Sequence, residues 1–385
     1  MDKAKDVLKK NTMIIALIIV TLFFSLQTSG TLLYPQNVTN LIAQNGYVVV
    51  LAVGMLMCIL TGGNIDLSVG SIVALIGALA GTLIVSRKMN IWLAIIICLV
   101  IGIIIGMIQG FWIAYLRIPA FIVTLAGMLL WRGMALIVLG GLTVSPFPDR
   151  YLNLFNSYIP DIFGSSIHIL SIIIGLLVCL VSITAQVFSR IQKKKKGYQL
   201  ETLASLIVRM AIVSIVIMAL SVSLAYHKGI PAILILLAVI VLIYAYFTTK
   251  TVPGRYLYAM GGNEKASRLS GINTNKVLFF AYVNMAFLSA VAALICVARF
   301  NSAAPTAGTN YELDAIGSCF IGGASAYGGT GTVSGVVVGA VFMGVINNGM
   351  SIMGIDNNLQ KVIKGIVLLA AVTFDVLSKK RSRAA

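Results

Sequence analysis

The glycine-rich stretch Gly322-Gly323-Ala324-Ser325-Ala326-Tyr327-Gly328-Gly329-Thr330-Gly331 is the first place to look for phosphate chemistry. It lacks the Gly-Lys-Ser/Thr ending that sets a lysine on the phosphates and a hydroxyl on magnesium, and no such ending occurs elsewhere. ATP hydrolysis by a phosphate-binding loop is therefore excluded for this chain. The acids are Asp2, Asp6, Asp66, Asp149, Asp161, Glu201, Glu264, Glu312, Asp314, Asp356 and Asp375. They form no paired aspartate motif of the kind that holds magnesium in a membrane transferase. His168 and His227 are far apart, and Cys58, Cys98, Cys179, Cys296 and Cys319 contain no CxxC pair, so buried inert thiols are expected. The chain reads as a non-enzyme with no cofactor and no metal site.

The side chains left for function are few. Asp66 is expected to be the one acid near the middle of a bilayer, in Thr61-Gly62-Gly63-Asn64-Ile65-Asp66-Leu67-Ser68-Val69-Gly70-Ser71. Two roles are open to it: N-cap of the following helix, or contact with a polar substrate. Arg132 stands 13 residues beyond Pro119, roughly 20 Å along a helix. Unpaired in lipid it would cost about 3 kcal/mol, so it should face the bundle or snorkel outward.

The elements that position these groups follow from composition. Of 385 residues, 59% are hydrophobic and only 10% charged, where a soluble domain carries about 25% charge. Apolar runs occur at about 13–33, 45–62, 66–86, 91–112, 118–141, 166–187, 206–226, 231–248, 277–298, 331–350 and 361–378. The expected fold is an all-α polytopic membrane protein, one domain over 1–385, of about eleven transmembrane helices plus one re-entrant half-helix at 312–323. The first run follows the basic start Met1–Lys10 without a clear small-residue cleavage site, so an uncleaved span is expected.

The net charge of +17 is explained by the membrane's positive-inside bias rather than by nucleic acid. With the amino terminus cytoplasmic, twenty of the 28 cations fall inside, among them Arg117, Arg190, Lys193–Lys196, Arg209, Lys265, Arg268 and Lys379–Arg383. Arg87, Lys88, Arg150, Lys228, Arg299, Lys361 and Lys364 fall outside. Both ends are then cytoplasmic only if 312–323 dips in without crossing and the chain breaks near Gly322–Gly331. Irregular backbone survives at membrane depth only where protein or a wet cavity covers it. Two such segments, 61–71 and 322–331, share a similar lead-in, Cys58-Ile-Leu-Thr-Gly-Gly and Cys319-Phe-Ile-Gly-Gly. Paired interruptions point to a translocation path through Asn64, Asp66, Ser68, Gly322, Gly323 and Ser325. Close helix packing through small residues is the other reading.

Two cytoplasmic loops are expected, a basic one at about 188–205 and a second at about 249–276. In the second, Asn263 suits an N-cap, Glu264 the first turn, Lys265 and Arg268 follow, and Gly271 suits the C′ position. That spells a helix of about seven residues, too short to be stable without a surface beneath it. It is either a membrane-surface connector or a plug for a cytoplasmic partner.

Gly261-Gly-Asn-Glu-Lys-Ala-Ser-Arg-Leu-Ser-Gly-Ile-Asn273 resembles the coupling-helix loop of monosaccharide ABC-importer permeases of the ribose, galactose and xylose type. Gly63–Ser71, Tyr311–Ile316 and Cys319–Gly331 resemble segments of that family in the same order, over roughly 36–380. Ala120–Leu129, Thr143–Pro146, Asn347–Ser351 and the extra pair of spans around Lys193–Lys196 are closest to xylose or multiple-sugar permeases. The resemblance implies a homodimer in the bacterial inner membrane. It implies a cytoplasmic ATP-hydrolysing subunit docked on Gly262, Asn263, Glu264, Lys265, Arg268, Leu269, Ser270 and Gly271, and an extracytoplasmic binding protein that delivers the sugar. Alternating access would move the sugar. An ion-coupled secondary carrier and a non-transporting scaffold remain as alternatives.

Overall fold

The computed structural model describes residues 12–164, 167–198 and 202–384. The basic start up to Lys10 and Glu201 lie outside the described residues, as do the side chains of Lys379–Arg383. Fifteen α-helices follow one another: α1 Thr12–Gln27, α2 Pro35–Leu60, α3 Val69–Ala80, α4 Ile91–Ala114, α5 Ala120–Leu139, α6 Asp149–Asn156, α7 Ile169–Lys195 and α8 Leu203–Ala225. Then come α9 Ala232–Lys250, α10 Val252–Gly262, α11 Glu264–Leu269, α12 Thr274–Phe300, α13 Tyr311–Ile321, α14 Val333–Ile352 and α15 Asn357–Ala384. A π-turn over Gly81–Ser86 prolongs α3. Among the described residues there is no strand beyond two isolated bridges, Val144 to Ala303 and Tyr158 to Pro231. The chain is all-α and polytopic.

Each of the eleven apolar runs coincides with a long helix, and nine of those helices are long and apolar enough to cross a membrane. The other two are α1, whose apolar stretch Met13–Gln27 is shorter, and α15, whose apolar run carries Lys361, Lys364 and Asp375. Helix starts follow local chemistry. Pro35 occupies the first turn of α2, where its missing amide hydrogen leaves no bond unmade. Asn90 Oδ1 accepts from the amides of Trp92 and Leu93 to start α4, and Gly140 closes α5 in the left-handed conformation.

Burial separates a centre from a lipid-facing periphery. The most apolar windows of α2 and α12 are 78% buried, against 17% for α7 and 11% for α8. Val48 and Val50–Leu60 of α2 are almost wholly inaccessible, packed between α12, α14 and α13. The α7–α8 hairpin packs mainly on itself and meets the bundle through α2. Arg190 and Lys193–Lys195, expected in a loop, lie on the last turns of α7, because nothing in that stretch breaks the helix before Gly197.

The α4–α12 crossing is built by glycines four residues apart. A Cβ on Gly106 would lie 2.6 Å from Val283 Cα and 3.0 Å from Tyr282 O, and one on Gly102 2.6 Å from Ala290 Cβ. Without a hydrophobic drive between helices in lipid, this close backbone approach and its dispersion energy hold the pair. Gly106→Leu is expected to push α12 away at a cost of about 1–3 kcal/mol, read as a lower thermal-unfolding temperature of the purified protein. An unchanged temperature would contradict the close crossing.

The bundle has two distinct ends. At one, Arg117 after α4 reaches Glu264 of α11 and Thr274 of α12. At the other, α6 closes a cleft of about 620 Å³ with the α3–α4 turn and Asn301. Met13 lies beside Gly323, and Asp375 Oδ2 accepts from Ala326 N, so the start of α1 and the last turns of α15 share the α10–α11 end. The chain between α12 and α13 is irregular and packs on α3 through its two buried residues, Ala303 and Gly308. A Cβ on Gly81 would lie 2.9 Å from Ala303 Cβ, and one on Gly70 2.1 Å from Gly308 O. Gly70 precedes Gly81 by eleven residues, so this segment descends about 16 Å before α13 carries the chain to the α10–α11 end. The expected half-helix is α13, but it does not dip and return. The irregular stretch after α12 and α13 together take the chain across from the α6 end to the α10–α11 end. This traverse, rather than a re-entrant loop, brings both ends of the chain's helices to one side.

Candidate functional site

The 249–276 loop holds two helices rather than one. Its second, α11, is capped as its sequence demands: Asn263 Oδ1 accepts from Ala266 N at 2.9 Å, and Gly271 follows at φ +83°. The first, α10, was not foreseen. Thr251 Oγ1 caps it through Gly254 N and Pro253 fills its first turn, a start signal obscured by the Pro-Gly pair.

The eight loop residues do not all face one way. Glu264 Oε1 pairs with Arg117 Nη1 at 2.7 Å, while Arg117 Nη2 binds Thr274 Oγ1 and Asn275 Oδ1. Glu264 is thus tied to its own bundle. Gly262, Asn263, Lys265, Arg268, Leu269, Ser270 and Gly271 are exposed, Leu269 at 89%. Arg268 and Gly271–Asn275 border a cleft of about 290 Å³ at the carboxyl end of α11. Leu269 follows Arg268 and stands four residues after Lys265, an exposed apolar side chain at the end of α11.

The two interrupted segments meet. Gly329 N donates to Leu60 O at 3.1 Å, and a Cβ on Gly63 would lie 2.1 Å from Ala326 O. Asn64 Nδ2 donates to Thr61 O at 3.1 Å and is half-buried. Ser325 is buried, its amide donating to Thr330 O and its Oγ accepting from Tyr327 N. Gly322 is buried and Gly323 half-buried, behind Met13. The contacts across the junction are thus made by Leu60, Gly62 and Gly63 with Gly329, Gly328 and Ala326. Asn64 and Ser325 are instead bonded within their own segments, Gly322 and Gly323 face α14 and Met13, and Ser68 reaches α4.

Asp66 is not the N-cap. Ser68 holds that position without a side-chain cap bond, and Asp66 Oδ1 accepts from Ser68 N at 2.8 Å and Ser68 Oγ at 2.6 Å. A bond to the amide two residues on is the kind a cap makes, but here that amide belongs to Ser68, which precedes the first helical residue Val69, so Asp66 closes a turn just before α3. Ser68 Oγ in turn accepts from Gln109 Nε2 of α4 at 2.9 Å. Asp66 Oδ2 has no partner among the described residues, and Asp66 and Ser68 are both fully buried. Gln109, 1% exposed, escaped the sequence because an amide inside an apolar run carries no charge signal.

Asp66 is also not the lone interior acid. Asp314, at 2% exposure on the first turn of α13, lies 3.0 Å from Lys364 Nζ of α15 through Oδ1, and Oδ2 accepts from it at 3.3 Å. Lys364, expected in an outer loop, is thus two turns inside a helix, because α15 begins at Asn357. Arg132 faces the bundle and donates to Pro305 O at 3.2 Å and to Ala307 O, which anchors the irregular descent into α13. Buried carbonyls that no helix satisfies are what an intramembrane guanidinium can serve.

The bundle, with its interrupted segments and its capped surface helix, is that of a polytopic membrane protein. The chain belongs to the family described as branched-chain amino acid transport system / permease component, matched over residues 37–372. It is similar to the xylose transport system permease protein XylH of Escherichia coli (strain K12), 38% identical over 370 residues, covering 96% of this chain and 92% of the relative. The protein of the same description in Haemophilus influenzae is 36% identical over 382 residues, 99% of this chain and 100% of the relative. The ribose import permease protein RbsC of Escherichia coli (strain K12) is 32% identical over 339 residues, 88% of this chain and 85% of the relative. No solved structure matches the chain significantly.

Proposed function

We propose that this chain is the membrane subunit of an ATP-driven importer for a monosaccharide of the xylose or ribose kind, working as a homodimer in a bacterial inner membrane. The observation that carries the reading is α11: Lys265, Arg268 and Leu269 point outward while Glu264 is held by Arg117. A six-residue helix gains stability only from what it packs on, so its free face is suited to a separate protein. With no phosphate-binding loop in the chain, that partner is the ATP-hydrolysing subunit. The positive-inside bias puts the α10–α11 end and both termini in the cytoplasm. A sugar-binding protein then delivers at the α6 end, and the spans around Asp66 and Gly323 re-orient between the two faces. The exposed faces of α7 and α8 meet lipid; nucleic acid plays no part.

The test is uptake of xylose and of ribose by vesicles carrying this chain, its ATPase subunit and the binding protein. ATP-dependent accumulation is expected. The unpartnered, buried Oδ2 of Asp66 favours a second reading, an ion-coupled carrier acting alone. Uptake driven by an ion gradient without any ATPase would establish that reading in place of the first.

A further inference from the structure

Three backbone segments converge beneath α11. A Cβ on Gly261, at the end of α10, would lie 1.9 Å from Leu60 O and 2.4 Å from Gly329 N. Those same two atoms are already bonded to one another at 3.1 Å. From the other side, a Cβ on Gly329 would lie 2.8 Å from Gly262 N, and one on Gly328 2.5 Å from Gly62 Cα. Gly329 also sits at φ +70°, where side chains other than glycine are strained. Tyr258, one turn back on α10, donates its hydroxyl to Gly331 O at 3.0 Å. The end of α10, the end of α2 and the 322–331 loop are thus in direct backbone contact, with no side chain between them to deform.

We infer that Gly261 and Gly329 are positioning residues for transport, fastening the end of α10 to both interrupted segments so that a displacement of α11 reaches the two as one movement. Only Asn263 separates α10 from α11, so little slack lies between the surface helix and the junction. Packed backbone transmits displacement, whereas long side chains absorb it in rotamer changes. The transport arm of this inference rests on the importer reading; the linkage itself does not.

Amide hydrogen exchange of the purified protein tests the linkage. Gly261→Ala is expected to raise exchange together in peptides covering 59–66 and 322–332, with the α7–α8 hairpin unchanged. Gly133→Ala, a helical glycine with no atom near its added Cβ, should change neither. Faster exchange confined to the α10 end would overturn the inference. In vesicles, Gly261→Ala should retain ATP hydrolysis while sugar moved per ATP falls to background. A variant that merely folds less well would lose both in proportion. Tyr258→Phe, which removes one hydroxyl, should lower the ratio less and settles the matter if the alanine variant does not fold. A wild-type ratio in Tyr258→Phe together with unlinked exchange would sink the proposal, whereas a wild type that moves no sugar would count against the importer reading alone.

Discussion

Lys364→Met is expected to destabilise the folded protein by about 3–5 kcal/mol, the cost of stranding one member of a buried ion pair. Asp314 is 2% exposed and its carboxylate lies 3.0 Å from Lys364 Nζ, whose side chain is 17% exposed, so the variant leaves a buried carboxylate without its cation. The loss should concentrate in α15, because α13 is its principal packing partner. The measurement is thermal unfolding in detergent together with proteolysis of the α14–α15 connection, which should become faster. Replacing both partners, Asp314→Leu with Lys364→Met, should recover most of the stability, since an apolar pair of similar volume carries no desolvation penalty. If the single variant unfolds at the wild-type temperature, the pair does not hold α15. If the double variant is as unstable as the single, the cost comes from packing rather than charge.

The same pair shows why the sequence was read well in one respect and poorly in another. A bilayer demands about twenty apolar residues per crossing, so hydropathy located every long helix. The traverse through α13 was instead read as a dip that returns, because an irregular stretch joined to a short helix leaves no long apolar run. Asn263 and Gly271 announced α11 because caps are local chemistry, satisfied within three or four residues. Asp314 and Lys364 are fifty residues apart, and nothing local to either says that it is buried. Asp66 illustrates the intermediate case. Its neighbourhood to the helix start was legible, but a choice between capping and turn closure depends on where Ser68 and Gln109 sit, which is a matter of packing. The convergence of Leu60, Gly261 and Gly329 was likewise hidden, because glycines that permit close approach look like glycines that permit flexibility.

Leu269→Gln is expected to weaken docking of the ATP-hydrolysing subunit by about 2 kcal/mol or more, roughly thirtyfold in affinity. Leu269 is 89% exposed in the isolated chain, on the outward face of a helix whose inward residues Glu264 and Ser267 are held by the bundle. An apolar side chain that gains nothing in water gains most when a partner pocket covers it, and glutamine keeps the helix propensity while removing that gain. Arg268→Glu reverses a charge on the same exposed face and should weaken docking more at low salt than at high. Glu264→Gln is the informative contrast. Its pair with Arg117 is 42% and 39% exposed, so losing it costs about 0–1 kcal/mol and leaves the outward face intact. Co-purification and titration of the ATPase subunit against membranes of each variant measure this, with ATP-driven uptake read alongside. Wild-type binding by Leu269→Gln, or a larger loss from Glu264→Gln than from Leu269→Gln, would show that the partner grips a different face of the loop. With the outward face confirmed, an uptake defect in Glu264→Gln without a binding defect would mean that Arg117 carries the motion of α11 into the turn between α4 and α5 rather than holding the partner.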